Sequence, residues 1–341
     1  MHMKQKTALI IGISGQDGSY LAEFLLAKNY RVAGLMPESA PEGTTNISHI
    51  AEKIHIVNGD LLDMPSLINA IRNLEPDEVY NLAAQSHAGK SWQLAVETAE
   101  ITAVGAQRVF EAVRNVRPQC RVYHASSSEM FGEPTGGAQN EITPFAPANP
   151  YGAAKLYAHT IAQIYNKSYG LYIACGILFN HESPRRGLHF ITQKVAYGAA
   201  CAKLGIKDSP DLNERAEPIV RGGKLALGNL DAKRDWGFAG DYVESMWLML
   251  QQKMPATYVI GTGQVRSVRQ LCEEAFSSVG LDWQQFVIVY PNLKRIAESG
   301  AAVADATKAR TDLGWSPRIS FGDMISMMVQ SQLDRLKNFS T

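Results

Sequence analysis

The chain has 341 residues, and its 33 Lys and Arg balance 33 Asp and Glu, so the formal net charge is zero. A neutral chain has no overall field to attract nucleic acid or an acidic membrane surface, and we expect neither as a partner. The sequence shows no apolar run long enough to span a bilayer and no cleavable signal, which favours a cytoplasmic protein. The length predicts about two domains. Four cysteines without paired spacing predict neither a disulfide framework nor a metal site.

The first predicted unit is a strand, a glycine-rich turn and a helix. The apolar run 6–11 predicts a buried parallel strand, and residues 19–27 predict the helix that follows. Glycines spaced Gly-x-x-Gly-x-x-Gly at this junction let a pyrophosphate approach the helix N-terminus, where free N–H groups favour an anion. The unit therefore predicts a dinucleotide site. Its expected contacts are Gly12, Gly15, Gln16, Asp17 and Gly18.

Strands and helices continue to alternate through the first half of the chain. Further strands are predicted at 30–35, 54–57, 78–82, 121–124 and 172–179, with helices at 64–73, 98–116 and 151–169. This alternation predicts an α/β protein with a doubly wound parallel sheet. We assign residues 1–180 to a dinucleotide-binding domain, to which segments at roughly 229–265 return. Residues 181–341 are assigned mostly to a smaller lobe, in which the polar, Pro- and Gly-punctuated stretch 206–223 is predicted to be an exposed insertion.

The loops after the second, third and fourth strands complete the predicted cofactor site. An acidic side chain after the second strand accepts hydrogen bonds from both ribose hydroxyls and repels a 2′-phosphate. Glu38 stands there, and no Arg or Lys follows before Lys53, which favours NAD over NADP. Small residues after the fourth strand let the backbone pass close to the cofactor. The expected contacts in these loops are Glu38, Asp60, Leu61, Leu82, Ala83 and Gln85.

A tyrosine and a lysine four residues apart open the helix after the fifth strand. Tyr151 and Lys155 share one helix face, one turn apart, after an Asn-Pro turn that favours a helix start. A cation near a phenol stabilises the phenolate, so we expect a lowered pKa for Tyr151 and an acid/base role. Ser127 and Glu129 follow the preceding strand and supply a hydroxyl and a carboxylate beside it. This spacing also suits an ordinary amphipathic helix, but the glycine turn upstream favours a catalytic site.

The glycine triplet, the Tyr-x-x-x-Lys pair and the serine-bearing strand together resemble the extended short-chain dehydrogenase/reductases that act on nucleotide sugars. Longer blocks resemble the GDP-mannose 4,6-dehydratase family and span nearly the whole chain: 15–21, 81–87, 126–132, 177–187, 228–237 and 241–243. The resemblance implies a Rossmann-like fold, a bound NADP or NAD and an internal redox dehydration. It also implies a GDP-sugar substrate and a homodimer or homotetramer.

The matching positions take their roles from this resemblance. Tyr151 would remove the proton of the sugar 4-hydroxyl, Lys155 would hold the nicotinamide ribose, and Ser127 would bond the same hydroxyl in place of the family's usual threonine. Glu129 would take the proton from carbon 5 and protonate the leaving 6-hydroxyl. This carboxylate separates a dehydratase from a reductase, a 4-oxidase or an epimerase on the same fold. The implied substrate contacts are Ser86, Ser128, Asn180, Glu182, Lys194, Arg234, Arg295 and Glu298.

Three departures from the family pattern bear on cofactor and substrate. The arginine pair usual after the second strand is absent, so neither NADP preference nor a tetramer follows from the resemblance. The stretch 206–223 is longer than usual, and the residues after Glu298 are smaller than usual. These two features suit a bulkier sugar, and we hypothesise a GDP-heptose beside GDP-mannose. A non-catalytic nucleotide-sugar binder is the remaining alternative, although it would have no use for an acid/base set.

Overall fold

The computed structural model describes residues 5–37, 45–133, 136–213, 216–290 and 302–339. The strands are β1 (Thr7–Ile11), β2 (Arg31–Met36), β3 (His55–Asn58), β4 (Glu78–Asn81), β5 (Arg121–Ser127), β6 (Tyr172–Leu178), β7 (Asn180–Glu182), β8 (Val220–Arg221), β9 (Lys224–Leu227), β10 (Lys233–Phe238), β11 (Thr257–Ile260), β12 (Val265–Ser267) and β13 (Val287–Val289). The helices are α1 (Gln16–Ala27), α2 (Met64–Leu74), α3 (Ala95–Thr98), α4 (Gly105–Val116), α5 (Pro150–Tyr169), α6 (Ile191–Leu204), α7 (Ala239–Leu250), α8 (Val268–Ser277), α9 (Thr307–Leu313) and α10 (Phe321–Phe339).

The main sheet has seven parallel strands among the described residues, in the order β11-β6-β5-β4-β1-β2-β3. The chain first builds outward from β1 to β3 and then from β4 to β6, which is the doubly wound arrangement predicted from the alternation. The sheet differs from the prediction at two strands. Strand β5 continues past His124 to Ser127, because its pairing with β6 extends to Ser127 opposite Leu178. Strand β11, which was not predicted, pairs in parallel with β6.

Helices cover both faces of this sheet, so its strands are buried on both sides. Along β1, Ala8 and Ile10 pack into one core with α1 and α7, whereas Leu9 and Ile11 pack into the other with α2, α4 and α5. Two-sided burial explains why β1 is an unbroken apolar run rather than an alternating one. The helix predicted over 98–116 begins earlier, at α3, and passes through a π-helical turn (Ala99–Val104) before α4.

The second half of the chain has a hydrophobic core of its own. Helices α6, α8 and α10 pack around β8, β9 and β13, which form a three-stranded sheet among the described residues. Strand β7 pairs in parallel with β10 directly beside the carboxyl end of β6. This pairing brings the lobe to the edge of the main sheet where α/β proteins bind their ligands.

The stretch 206–223 is only partly exposed, which corrects the prediction of an exposed insertion. Ile219 and Val220 are buried, and Val220 pairs with Leu225 in the sheet of the lobe. The carboxylate of Asp211 accepts two hydrogen bonds from the guanidinium of Arg335 in α10, at 2.7 and 3.2 Å. The polar and glycine-rich composition gave no sign of this packing, which depends on a few buried residues and on partners elsewhere in the lobe.

Candidate active site

A cavity of about 260 Å³ lies where β4, β5 and β6 end. It is lined by all four predicted catalytic residues: Ser127, Glu129, Tyr151 and Lys155. Predicted cofactor and substrate residues on its wall are Asp17, Leu82, Ser86, Ser128, Asn180, Glu182 and Arg234. The carboxyl edge of the sheet therefore gathers side chains that lie far apart in the sequence.

Glu129 is placed by a tight turn at the end of β5. Ser127 is the last residue of the strand, and its Oγ accepts a hydrogen bond from the backbone N–H of Glu129 at 3.2 Å. The turn ends at Gly132, which has a positive φ of 67°. A Cβ on Gly132 would lie 1.8 Å from the carbonyl oxygen of Ala146, so only glycine fits. The turn thus fixes the backbone of the carboxylate residue beside the start of α5.

Helix α5 carries the tyrosine and the lysine, and Asn149 caps it. The Asn149 Oδ1 accepts a hydrogen bond from the N–H of Gly152 at 2.8 Å, satisfying one free donor of the first turn. The Nδ2 of the same side chain donates to Glu129 Oε2 at 2.7 Å. A Cβ on Gly152 would lie 2.5 Å from the carbonyl oxygen of Glu129. The cap therefore ties the carboxylate to the helix that bears Tyr151.

The ammonium of Lys155 donates its hydrogen bond to a backbone carbonyl and not to the phenol of Tyr151 in this structure. It lies 5.8 Å from the centre of the tyrosine ring and donates to the carbonyl of Ala125 at 2.7 Å. Burial raises the pKa of Tyr151 to about 12, against the opposing effect of a hydrogen bond with Ser127. The lowered tyrosine pKa predicted from the spacing is therefore not found, because desolvation outweighs a cation that faces elsewhere. Burial also lowers the pKa of Lys155 to about 8.

Two buried histidines lie behind Lys155, away from the cavity. His159 follows it by one turn of α5, and its Nδ1 is 2.8 Å from the Oγ of Ser126. Its Nε2 is 3.0 Å from the side-chain nitrogen of Gln163. Burial lowers the pKa of His159 to about 4 and that of His124 well below its ordinary value, so both rings are neutral at pH 7. Lys155 is consequently flanked by neutral polar groups rather than by a second cation.

The glycine turn before α1 leaves room only for hydrogen at two positions. Gly12 has a φ of +91°, and a Cβ there would lie 3.0 Å from the backbone nitrogen of Ala83. A Cβ on Gly18 would lie 2.2 Å from the carbonyl oxygen of Gly12. Gly15 occupies the N-cap position and offers no side chain to the first N–H groups of α1. This cradle fits a dinucleotide phosphate at a helix N-terminus.

The side chains of Gln16 and Asp17 point toward β7 and hold His181, which the sequence did not predict as a site residue. Gln16 Nε2 donates to the carbonyl of His181 at 3.0 Å, and Asp17 Oδ2 lies 2.8 Å from His181 Nε2. Burial alone would raise the pKa of Asp17, but the charge of His181 and the hydrogen bond to it keep this pKa below its usual range. Burial alone would lower the pKa of His181, but the charge of Asp17 and the same hydrogen bond raise it. The imidazole stacks on Tyr242 at 4.7 Å. The sequence signal was its position directly after Asn180.

Glu182, predicted as a substrate contact, bonds to protein groups. Its buried Oε2 accepts from the hydroxyl of Thr192 at 2.6 Å and lies 3.1 Å from Nε of Arg186. The Arg186 guanidinium stacks over the ring of Phe190, 3.4 Å from its centre, and lines the cavity. The structure thus makes Glu182 a support for a cation at the cavity wall. Arg186 and Glu182 both line the cavity, so the predicted substrate contact at Glu182 stays a prediction.

Several predicted residues lie away from this cavity or outside the described part of the chain. Asp60 lines a separate cavity with Pro37 at the ends of β2 and β3, and Leu61 is buried in the core under α4. The backbone N–H of Gln85 donates to Thr102 in the π-helical turn. Lys194 lies on α6, outside the cavity lining. Glu38, Arg295 and Glu298 lie outside the described residues.

Neither a metal site nor a membrane span is seen in the ranges that the structure covers. Within them, no group of three or more His, Cys, Asp or Glu side chains is arranged to hold a metal ion. No helix in those ranges is both long and apolar enough to cross a bilayer.

Solved structures of nucleotide-sugar enzymes share this architecture. The UDP-glucose 4-epimerase of Thermus thermophilus, solved with NAD, superposes with a TM-score of 0.81 at 24% identity, covering 96% of this chain and 98% of that one. The dTDP-glucose 4,6-dehydratase of Streptomyces venezuelae, also solved with NAD, gives 0.81 at 23% identity, covering 97% and 98%. The fold is that of the extended short-chain dehydrogenase/reductases, as the sequence predicted.

Relatives found by sequence identify one family within this fold. GDP-mannose 4,6 dehydratase 1 of Arabidopsis thaliana is 44% identical over 345 residues, covering 98% of this chain and 91% of the relative. The human GDP-mannose 4,6 dehydratase is 40% identical over 366 residues, covering 99% and 94%. The family model described as GDP-mannose 4,6 dehydratase matches residues 9–328. The chain belongs to the GDP-mannose 4,6-dehydratase family, which confirms the resemblance found in its motifs.

Proposed function

We propose that the protein is a GDP-sugar 4,6-dehydratase, a lyase that converts GDP-mannose or a related GDP-manno-heptose to the GDP-4-keto-6-deoxy sugar. The observation that carries this proposal is the carboxylate of Glu129 in one cavity with Ser127, Tyr151 and Lys155. A reductase, 4-oxidase or epimerase needs the last three groups but has no step for a base at carbon 5. The names of relatives at 38–44% identity support the same activity.

The chemistry assigned to the side chains is the one that the family resemblance implies for the matching positions. Tyr151 removes the proton of the 4-hydroxyl, while Ser127 bonds the same oxygen. Loss of hydride from carbon 4 to a bound nicotinamide would acidify the hydrogen on carbon 5, and Glu129 would take that proton and protonate the leaving 6-hydroxyl. Return of the hydride to carbon 6 and of one proton to carbon 5 would then complete the 6-deoxy sugar and leave the cofactor as it began. Because burial keeps Tyr151 protonated in the absence of ligands, a cation must lie beside its phenolate for Tyr151 to act as a base. Lys155 supplies that charge when its ammonium turns from the Ala125 carbonyl toward the tyrosine.

The cofactor proposed for this site is a nicotinamide dinucleotide, NADP or NAD, which supplies a reversible hydride acceptor when bound. The glycine cradle before α1 would hold its pyrophosphate, and Lys155 its nicotinamide ribose. Asp60, in the cavity beyond β2 and β3, would meet the adenosine end. The identity of Glu38 supports NAD. We propose further that 1–180, with roughly 229–265, binds this cofactor and that most of 181–341 binds the GDP portion.

We also propose a homodimer formed through the face of α3 and α5. Apolar side chains on this face and in the short turn before it are exposed, among them Val96 at 79% and Ile164 at 46%. Contiguous exposed apolar surface on neighbouring helices is typical of a protein interface. A Val96→Lys, Ile164→Lys double variant is expected to sediment as a monomer where the parent sediments as a dimer. A parent that sediments as a tetramer would require a second interface.

Mass spectrometry of the product tests the activity. Incubation with GDP-mannose is expected to remove one water with no net change in reduced nicotinamide. Net consumption of reduced nicotinamide with a GDP-4-keto-6-deoxy sugar as substrate identifies a reductase. With GDP-mannose, net production of reduced nicotinamide identifies a 4-oxidase, and an unchanged mass with inversion at carbon 4 identifies an epimerase. Parallel turnover of GDP-manno-heptose tests the sugar, since clear preference for mannose rejects the heptose hypothesis. Dinucleotide that co-purifies with the protein identifies the cofactor.

Substitution of the tyrosine tests the mechanism. Tyr151→Phe is expected to lower kcat by about 10²- to 10⁴-fold, because it removes the acid/base group. Binding of GDP-sugar should change little, since the phenol acts mainly in the transition state. Unaltered turnover by this variant would reject the assigned mechanism.

A further inference from the structure

We propose that Asn149 is a positioning residue for Glu129, and that it couples this carboxylate to the helix bearing Tyr151 and Lys155. The inference rests on the proposed function of Glu129 as the base at carbon 5. It assigns a role in the reaction to a helix cap.

Two hydrogen bonds fix the amide of Asn149 in one orientation. Its Oδ1 accepts from the N–H of Gly152 at 2.8 Å, and its Nδ2 donates to Oε2 of Glu129 at 2.7 Å. A flipped amide would set donor against donor at Gly152 and oxygen against oxygen at Glu129. The helix N-terminus therefore directs the NH₂ group of the cap onto the carboxylate.

The cap occupies one carboxylate oxygen of Glu129 and leaves the other for substrate. The backbone of Glu129 is held separately, through its N–H bond to Ser127 Oγ and its close packing against Gly152. Without the cap, the side chain keeps its backbone anchor but loses its directional partner. A misplacement of about 1 Å is enough to slow an enzymatic step by about 10²-fold.

Asparagine combines two properties that other capping residues separate. Ser, Asp and Asn cap helices about equally well, because each presents an oxygen to the first N–H groups. Serine is too short to extend a second group to Glu129. Aspartate has the length but presents another carboxylate, so two acids at hydrogen-bond distance would share a proton. The variants Asn149→Ser and Asn149→Asp therefore test donation to Glu129 while preserving the cap.

In Asn149→Ser, we expect a thermal midpoint near that of the parent, with kcat reduced by about 10- to 100-fold and KM little changed. Oxidation at carbon 4 precedes proton removal at carbon 5, so reduced nicotinamide should accumulate transiently after mixing with GDP-mannose. In Asn149→Asp, the acid limb of the pH–rate profile should move to higher pH, because the shared proton must leave before Glu129 acts as a base. If the serine variant does not fold, this pH profile carries the test.

Glu129→Gln separates failure of this proposal from failure of the proposed function. It is expected to accumulate reduced nicotinamide without dehydration, and full dehydration by this variant would overturn the role of Glu129 as the base at carbon 5. A parent protein that removes no water from GDP-mannose would overturn the proposed function itself. If Glu129→Gln behaves as expected but Asn149→Ser turns over like the parent, the positioning role is overturned. Loss of thermal stability in Asn149→Ser without accumulation of reduced nicotinamide would also overturn it, because Asn149 would then be only a cap.

Discussion

Lys155 lies one turn of α5 beyond Tyr151, yet its ammonium donates to the carbonyl of Ala125 and stands 5.8 Å from the centre of the tyrosine ring. Burial lowers the pKa of Lys155 to about 8. Below that pH the folded protein keeps a desolvated cation with a single backbone acceptor. Such a group favours catalysis at the cost of stability.

We expect Lys155→Met to increase the free energy of unfolding near pH 7 while abolishing activity. Between about pH 8 and 10.4 the unfolded state binds a proton at Lys155 that the folded state has lost. The free-energy cost of burying the charged lysine therefore grows as pH falls through this range and reaches its full value, about 3 kcal/mol, below pH 8. Loss of the donor to Ala125 offsets part of this, which leaves a gain of about 1–2 kcal/mol. Urea denaturation measures it, with the exposed Lys167→Met as control. A gain that does not shrink above pH 8 would contradict the assignment to charge burial.

His159 makes the protein sensitive to acid. Its folded pKa is about 4, below its ordinary value of about 6.5, so between these pH values only the unfolded state binds the proton. Stability therefore falls as pH decreases through this window, by about 3 kcal/mol from this ring. His159→Gln should reduce the difference in free energy of unfolding between pH 7 and pH 4.5, whereas His55→Gln, at an exposed position, should not. Equal differences in both variants would reject a role for the buried ring.

Gly18→Ala should weaken dinucleotide binding. The new methyl would lie 2.2 Å from the carbonyl oxygen of Gly12, which is backbone and has no rotamer to change. We expect α1 to shift, with dinucleotide affinity at least about 10-fold lower and stability reduced by about 1–3 kcal/mol. Gly136→Ala is the control, because a Cβ there has no atom within 4 Å. Titration with NAD and NADP, followed by fluorescence, measures the effect; parent-like affinity would show that this turn does not form the cradle.

The stretch 206–223 should loosen when its ion pair is broken. Arg335→Met and Asp211→Asn, alone and together, form a double-mutant cycle on a half-buried bidentate pair. We expect a coupling energy of about 0.5–1 kcal/mol. Limited proteolysis should cut this stretch faster in each single variant than in the parent. Additive effects on stability would show that the pair does not anchor it.

The buried strands were predictable because burial on both faces of the sheet leaves an unbroken apolar run in the sequence of each strand. Strand β1 lies between two helical layers, so an unbroken apolar run from Thr7 marked it. Strand β11 was missed, because Thr257–Ile260 is a very short run that acquires its place only by pairing with β6. The start of α5 was predicted from the Asn-Pro turn, and there Asn149 does cap the helix.

The predicted site residues met in one cavity, but their partners were not predictable. Ser127 ends a strand and Tyr151 starts the helix after it, so topology alone brings them together. Lys155 donates to the carbonyl of Ala125, and Glu182 accepts from the hydroxyl of Thr192. Both choices depend on burial and on neighbours outside the local motif, which a sequence pattern does not show. His181 was overlooked for the same reason, since its partner Asp17 is 164 residues away in the sequence.

The last strand of the main sheet has a consequence for synthesis. Residues 179–256 leave the sheet after β6 and build much of the lobe before β11 returns to the open edge. Until β11 emerges from the ribosome, the backbone of Cys175 to Leu178 presents unpaired N–H and C=O groups to any other chain. Pairing between such distant segments is slow, because a long loop must close first. The middle of translation is therefore the interval in which a nascent chain is most exposed to aggregation and has most need of a chaperone.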